Sequence, residues 1–142
     1  MTDDYDFYAM RLIQAWNSHC MEDVMHFYSP EFIGRESGQA GLQFGHQGMQ
    51  RTLEQYWMAF PDLVFTLHNT LVEAPCIALV WSAEGIQRGS ILNIPPTGQR
   101  VCISGMTIIQ IEDGLVTCSR TIWDMAGMLR EIGLLPELVE AR

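Results

Sequence analysis

Tyr5, Ala9, Leu12 and Trp16 recur at helical spacing, joined by Met10 and Ile13, so the chain opens on an amphipathic helix. Thr2 to Asp4 supply its capping and a negative first turn. The stretch from Met21 to Tyr28, with Val24, Met25 and Phe27 turned inward, predicts a short second helix, which Ser29-Pro30 ends. Glu31 to Gly34 reads as a short strand. Residues 34–48, with Gly34, Gly38, Gly41, Gly45 and Gly48, read as a loop. Met49, Leu53, Tyr56, Trp57 and Phe60 mark a third helix, stopped by Pro61.

From Asp62 onward the period changes to two. Leu63, Phe65 and Leu67 alternate with polar partners, and Leu71 and Val72 continue that strand or open the next. Ile77 to Ala83 is almost continuously apolar, the pattern of a strand covered on both sides. Ser90 to Ile94 extends or pairs with it, and Pro95-Pro96-Thr97-Gly98 is a turn. Val101, Ile103, Ile108, Ile109 and Ile111 then lead into Glu112-Asp113-Gly114, and Leu115 to Trp123 forms a second strand. An Asp-Gly pair between two β-rich runs signals a tight hairpin, because both turn residues tolerate positive φ. Met125, Met128, Leu129 and Ile132 return to helical spacing, and Gly133 stands where that helix stops.

Helices first, then long strands, then a short helix predict an α+β fold: a curved antiparallel sheet with the N-terminal helices packed in its concave face. Residues 1–142 are read as one domain. A sheet curving over helices leaves an apolar hollow, the kind of place where small molecules bind. The nine Met and four Trp suit such a lining and an ordinary core equally.

Charge narrows the partners. Seventeen acidic and eight basic residues give a net charge of −9, which argues against nucleic acid or an anionic membrane. All the basic residues are arginine, and without lysine neither a Schiff-base aldolase nor a phosphate loop is available. The acidic N-terminus lacks the features of a signal peptide, and no apolar run is long enough for a membrane span, so a cytoplasmic protein is expected. Cys20, Cys76, Cys102 and Cys118 are scattered and are read as buried free thiols. The four histidines show no metal-binding spacing, so no metal site is expected. Ser37 and Ser90 lie in no nucleophile elbow.

Several segments together resemble one family. His46-Gln47-Gly48, Ala59-Phe60-Pro61-Asp62-Leu63, Ile94-Pro95-Pro96-Thr97-Gly98, Glu112-Asp113-Gly114 and Trp123-Asp124-Met125 are similar to segments of the SnoaL-like polyketide cyclases. These are ester cyclases of the nuclear-transport-factor-2-like superfamily, which also holds the ketosteroid isomerases. The resemblance implies a cone-shaped α+β barrel, a dimer paired through its sheets and a small hydrophobic, polyketide-like substrate. The reaction it implies is an intramolecular aldol ring closure without a cofactor, with one aspartate as acid/base. That aspartate maps onto Asp124. The chain departs from the family where many members carry an acidic residue or histidine followed by Trp, for here stand Ser119-Arg120. A histidine sometimes found on the preceding strand corresponds to Gln110.

The residues themselves leave two roles open for Asp124. It stands where a strand meets a helix, so it is either a helix cap or, buried by Ile122, Trp123 and Met125, an acid/base of raised pKa. Arg120 and Ile122 share its strand face, which puts Arg120 near the carboxylate if that face lines the hollow. Gln110 on the partner strand is a candidate for orienting a carbonyl, and Trp123 for contacting substrate. His46 either binds substrate at the loop mouth or anchors the loop. The rival functions are isomerisation or hydrolysis on the same scaffold, and non-catalytic ligand binding, in which Asp124 only caps.

Overall fold

The structure, a computed structural model, describes residues 2–141 and the side chains of residues 4–141. The chain runs α1 (Thr2–Ser18), α2 (Met21–Met25), β1 (Tyr28–Glu36), β2 (Gln43–Phe44), α3 (Gly45–Ala59), β3 (Val64–Glu73), β4 (Cys76–Ile86), β5 (Arg100–Glu112), β6 (Leu115–Trp123) and α4 (Met125–Glu131). Of the stripe predicted for α1, Ala9, Leu12, Ile13 and Trp16 are buried and Tyr5 is half-buried, whereas Met10 is exposed. The capping role read for Thr2 and Asp3 lies outside the described side chains.

The second helix stops earlier than expected. Phe27 gives its carbonyl to the Val116 amide at 2.8 Å, and Tyr28 is already in register with Val116. Pairing with a strand far along the chain therefore takes residues whose local spacing is helical. The glycine-rich segment also carries more structure than a loop. It contains the end of β1, the short β2 and the first turn of α3. Gly45 opens that helix at φ +61°, and a Cβ there would lie 2.9 Å from the Pro30 carbonyl.

Six strands form one sheet in the order β2-β1-β6-β5-β4-β3. The β3–β4, β4–β5 and β5–β6 pairs are antiparallel, as expected, but β1 joins β6 in parallel. A parallel neighbour needs a long crossover, and here everything from β2 to β5 serves as one. The Asp-Gly hairpin forms as read, with Asp113 at φ 52° and Gly114 at φ 79°. Ser90 to Ile94 does not add to the sheet. It is a tight turn, with Leu92 and Asn93 both left-handed and Ile91 bridged to Ile94.

Along β4, Ile77, Leu79, Trp81 and Ala83 point into the core, whereas Ala78, Val80 and Ser82 are half-buried. The strand therefore has one fully covered face, not the two that its composition suggested. The cysteines are free, yet Cys102 and Cys118 are exposed and Cys20 and Cys76 only partly covered. Cys102 and Cys118 sit at outward positions of β5 and β6, where alternation overrides the usual preference for burial. Among the described residues no helix is long and apolar enough to cross a membrane.

Candidate active site

Where α1 and α3 meet the inner face of the sheet, the side chains do not close completely. A chamber of about 90 Å³ remains, bounded by Trp16, Tyr28 and Phe60 on one side and by Trp81, Thr107, Ser119, Thr121 and Trp123 on the sheet. The carboxylate in its wall is Glu36, the last residue of β1. Period-two alternation carries Glu36 inside: Phe32 is fully buried, and Gly34 and Glu36 follow it on the same face.

Glu36 is 8% exposed. Three donors converge on its Oε1: the Tyr56 hydroxyl, the Trp123 Nε1–H at 3.0 Å and the Gly38 amide at 3.2 Å. Its Oε2 accepts no hydrogen bond from the described residues. No buried side-chain oxygen or nitrogen among them lacks a partner, so Oε2 reaches open space. One carboxylate oxygen is thus clamped and the other left without a protein donor among the described residues. Burial pushes the Glu36 carboxyl above the ordinary glutamate range, and the Tyr56, Trp123 and Gly38 hydrogen bonds oppose that rise. Tyr56 is pushed up as well, first by burial and then by the adjacent Glu36 charge, so its phenol is a firm donor at neutral pH.

A second polar line crosses the sheet. Trp81 Nε1–H donates to Thr107 Oγ1 at 3.0 Å, and Thr107 and Thr121 share a hydrogen bond of 2.9 Å. Thr107 is buried at 3% exposure, and Thr121 is the remaining partner for its hydroxyl proton. When Thr107 donates in that pair, the Thr121 proton is left unspent on the chamber wall. Thr121 is the register partner of Glu36 across the β1–β6 pair. A carboxylate and a hydroxyl consequently stand side by side.

The residues read from sequence divide between the two faces of the sheet. Trp123 is buried, lines the chamber and holds Glu36. Asp124 does not face the chamber. Its carboxyl is exposed and accepts from the Gly127 amide at 2.8 Å, capping α4. Ile122, one of the neighbours expected to bury it, is itself 66% exposed. Arg120 and Ile122 do share the face of Asp124, but it is the outer one. Gln110 bonds Glu112 at 3.0 Å near the sheet end, away from the chamber. His46 Nε2 lies 2.7 Å from the Tyr28 carbonyl, which can only accept, so it carries the proton there and anchors the start of α3. Sequence reasoning passed over Glu36, Tyr56, Thr107 and Thr121. The signal available for Glu36 was alternation from Phe32.

Comparison with known proteins agrees with this architecture. The family model for the SnoaL-like polyketide cyclases matches residues 8–132. No curated protein matches the sequence. Among solved structures, AclR from Streptomyces galilaeus, a candidate hydroxylase, superposes with a TM-score of 0.85 at 21% identity, covering 99% of this chain and 87% of its own. TsrD from Streptomyces laurentii gives 0.81 at 27% identity, over 92% of this chain and 96% of its own. IdmH from Streptomyces antibioticus, a candidate polyketide cyclase, gives 0.79 at 21% identity, over 90% and 97%. The shared fold is the nuclear-transport-factor-2-like α+β barrel. With 125 consecutive residues under the family model and the helices and sheet arranged as in these structures, the chain belongs to the SnoaL-like polyketide cyclase family.

Proposed function

We propose that this protein closes a ring in a small, apolar, polyketide-like substrate by intramolecular aldol addition, with Glu36 as the acid/base. The observation that carries the reading is the asymmetric setting of the Glu36 carboxylate, one oxygen clamped by donors and the other without one, on a residue that lines an apolar chamber. Glu36 Oε2 takes a proton from a carbon flanked by two carbonyls. The resulting enolate carbon attacks a carbonyl carbon of the same molecule, forming the C–C bond, and Glu36 returns its proton to the new alkoxide. Carbon between two carbonyls is acidic enough that the scheme requires neither lysine nor an added cofactor. Thr121 supports both stages by donating to the enolate or alkoxide oxygen, a role in which a positioned donor is worth about 10²–10³-fold.

Asp124 was the acid/base that the resemblance implied, but its place on the outer surface favours Glu36. The family position that often carries an acid is held here by Ser119 on the chamber wall, so the proton carrier comes from β1 instead. The test is solvent deuterium exchange into methyl acetoacetate, a compact dicarbonyl with the acidic carbon that the scheme requires. Wild-type protein should accelerate exchange above the buffer rate, and Glu36→Gln should not. Equal acceleration by both would remove Glu36 from the mechanism.

A further inference from the structure

The chamber cannot hold a whole polyketide. Its volume of about 90 Å³ is below the roughly 150 Å³ of a cavity that admits one benzene ring. A second hollow of about 620 Å³ adjoins it, and Tyr56 belongs to the walls of both. That volume lies within the roughly 300–1,000 Å³ typical of small-molecule sites. Between the two hollows stands Gly38, where a Cβ would collide with the Tyr56 hydroxyl and lie 2.8 Å from Glu36 Oε1. Any side chain at that position would collide with the wall that the two hollows share.

The walls of the outer hollow have a definite chemistry. On one side Gln39 Nε2 donates to Gln55 Oε1 at 2.8 Å. This leaves the Gln39 oxygen and the Gln55 amide protons unspent. On the other side is the turn that presents Asn93, held from behind by the Gln87 side chain, which is 1% exposed. Gln87 Nε2 donates to the carbonyls of Gly89 and Pro95, both at 3.2 Å, and Gln87 Oε1 accepts from Thr97 at 2.6 Å. The turn is therefore set before any ligand arrives, which lowers the ordering cost of binding. Amides offer donors and acceptors together, and no charged residue lines this hollow among the described residues. A carboxylate entering it would meet no counter-charge, on a chain of net charge −9.

We propose that this outer cleft binds an uncharged, hydroxyl- or amide-bearing part of the substrate while the reacting carbons occupy the chamber. The assignment of the chamber rests on the catalytic reading above; the preference for a neutral polar group rests on the cleft alone. Three dihydroxyanthraquinones that differ in one substituent, methyl, hydroxymethyl or carboxylate, serve as probes. Amide chemical shifts are followed in ¹⁵N-labelled protein. The hydroxymethyl compound should move the amides of Gly38, Gln39 and Asn93 and bind about tenfold tighter than either other probe. A Gln39→Met, Gln55→Met double variant should bring its affinity down to that of the methyl compound. Absence of shifts at those amides, equal affinity for the carboxylate, or unaltered binding in the double variant would each overturn the proposal. Deuterium exchange into methyl acetoacetate reads the chamber independently, so a failure of the cleft is told apart from a failure of the chemistry.

Discussion

Trp123 and Asp124 are consecutive residues that serve opposite sides of the sheet. The Trp123 indole turns inward and donates to Glu36 at 3.0 Å, while the Asp124 carboxyl turns outward and accepts from Gly127 at 2.8 Å. A pair that looks like a single motif in the sequence thus divides between the chamber wall and a helix cap.

Exchanging each carboxyl for an amide separates the two roles. Glu36→Gln should lower kcat by about 10²–10⁴-fold, the usual worth of a positioned acid/base, with the fold retained. Asp124→Asn should leave turnover near wild type, since asparagine caps about as well as aspartate. The measurement is cyclisation of a polyketide methyl ester followed by absorbance. The reverse pattern would return the catalytic role to Asp124.

Activity and stability should respond to pH in opposite directions. Burial raises the folded-state pKa of Glu36, so the folded state holds this proton more tightly than the unfolded chain. The associated stability is fully present below the unfolded pKa and is lost as pH rises through the folded one. The base, however, must be ionised, so kcat/KM should rise through that same elevated pKa. Urea midpoints across the acid range should show the loss in wild type and a flatter profile in Glu36→Gln. A stability gain with rising pH that Glu36→Gln abolishes would contradict the assignment.

Trp123→Phe removes one donor from Glu36 Oε1 while keeping an aromatic ring. The ionised carboxylate loses support, so the rising limb of kcat/KM should move to higher pH. The lost hydrogen bond to a charged group is worth about 1.5–3 kcal/mol. A purely packing role for Trp123 would leave the pH profile in place.

Thr121→Val keeps the shape of the side chain and removes its proton. If Thr121 donates to the developing oxyanion, kcat should fall about 10²–10³-fold with little change in KM. A rise in KM at constant kcat would assign Thr121 to ground-state binding instead.

The outer face of the sheet presents Met106 and Ile122 in register, 45% and 66% exposed, beside Ile108 at 44%. Contiguous apolar surface of this kind is commonly covered, and we propose a second copy of the chain as its cover. Sedimentation should find a dimer, and Ile122→Asp, which places a charge in the contact, should give a folded monomer. A wild-type monomer at all working concentrations would refute the pairing.

The sequence made the fold legible wherever local pattern and final partner agree. The α1 stripe, the β5–β6 hairpin around Asp113-Gly114 and the α4 start at Asp124 all follow from near neighbours. Residues 26–44 are where reading failed, because their structure is set by β6, which lies far along the chain. Glu36 was hidden for that reason: five glycines between residues 34 and 48 suggested a loop, and only pairing with Thr121 turns the region into a strand. Trp123, read from sequence as a substrate contact, does line the chamber, but the outward face of Arg120 and Asp124 was not legible. Alternation says which residues lie together, not which side is covered.

The parallel pairing of β1 with β6 also fixes when the setting of Glu36 is completed. Glu36 leaves the ribosome early, and the Trp123 indole that grips it follows 87 residues later. Until β6 docks, Glu36 has no partner strand on its β6-facing edge and no indole donor, and it remains an ordinary hydrated carboxylate. Contacts of such long sequence separation are made late in folding, after their loop entropy has been overcome. Completion of the last strand therefore both joins β1 to the rest of the sheet and completes the donor set on Glu36, so a chain cut short before residue 123 would lack the indole donor that holds it.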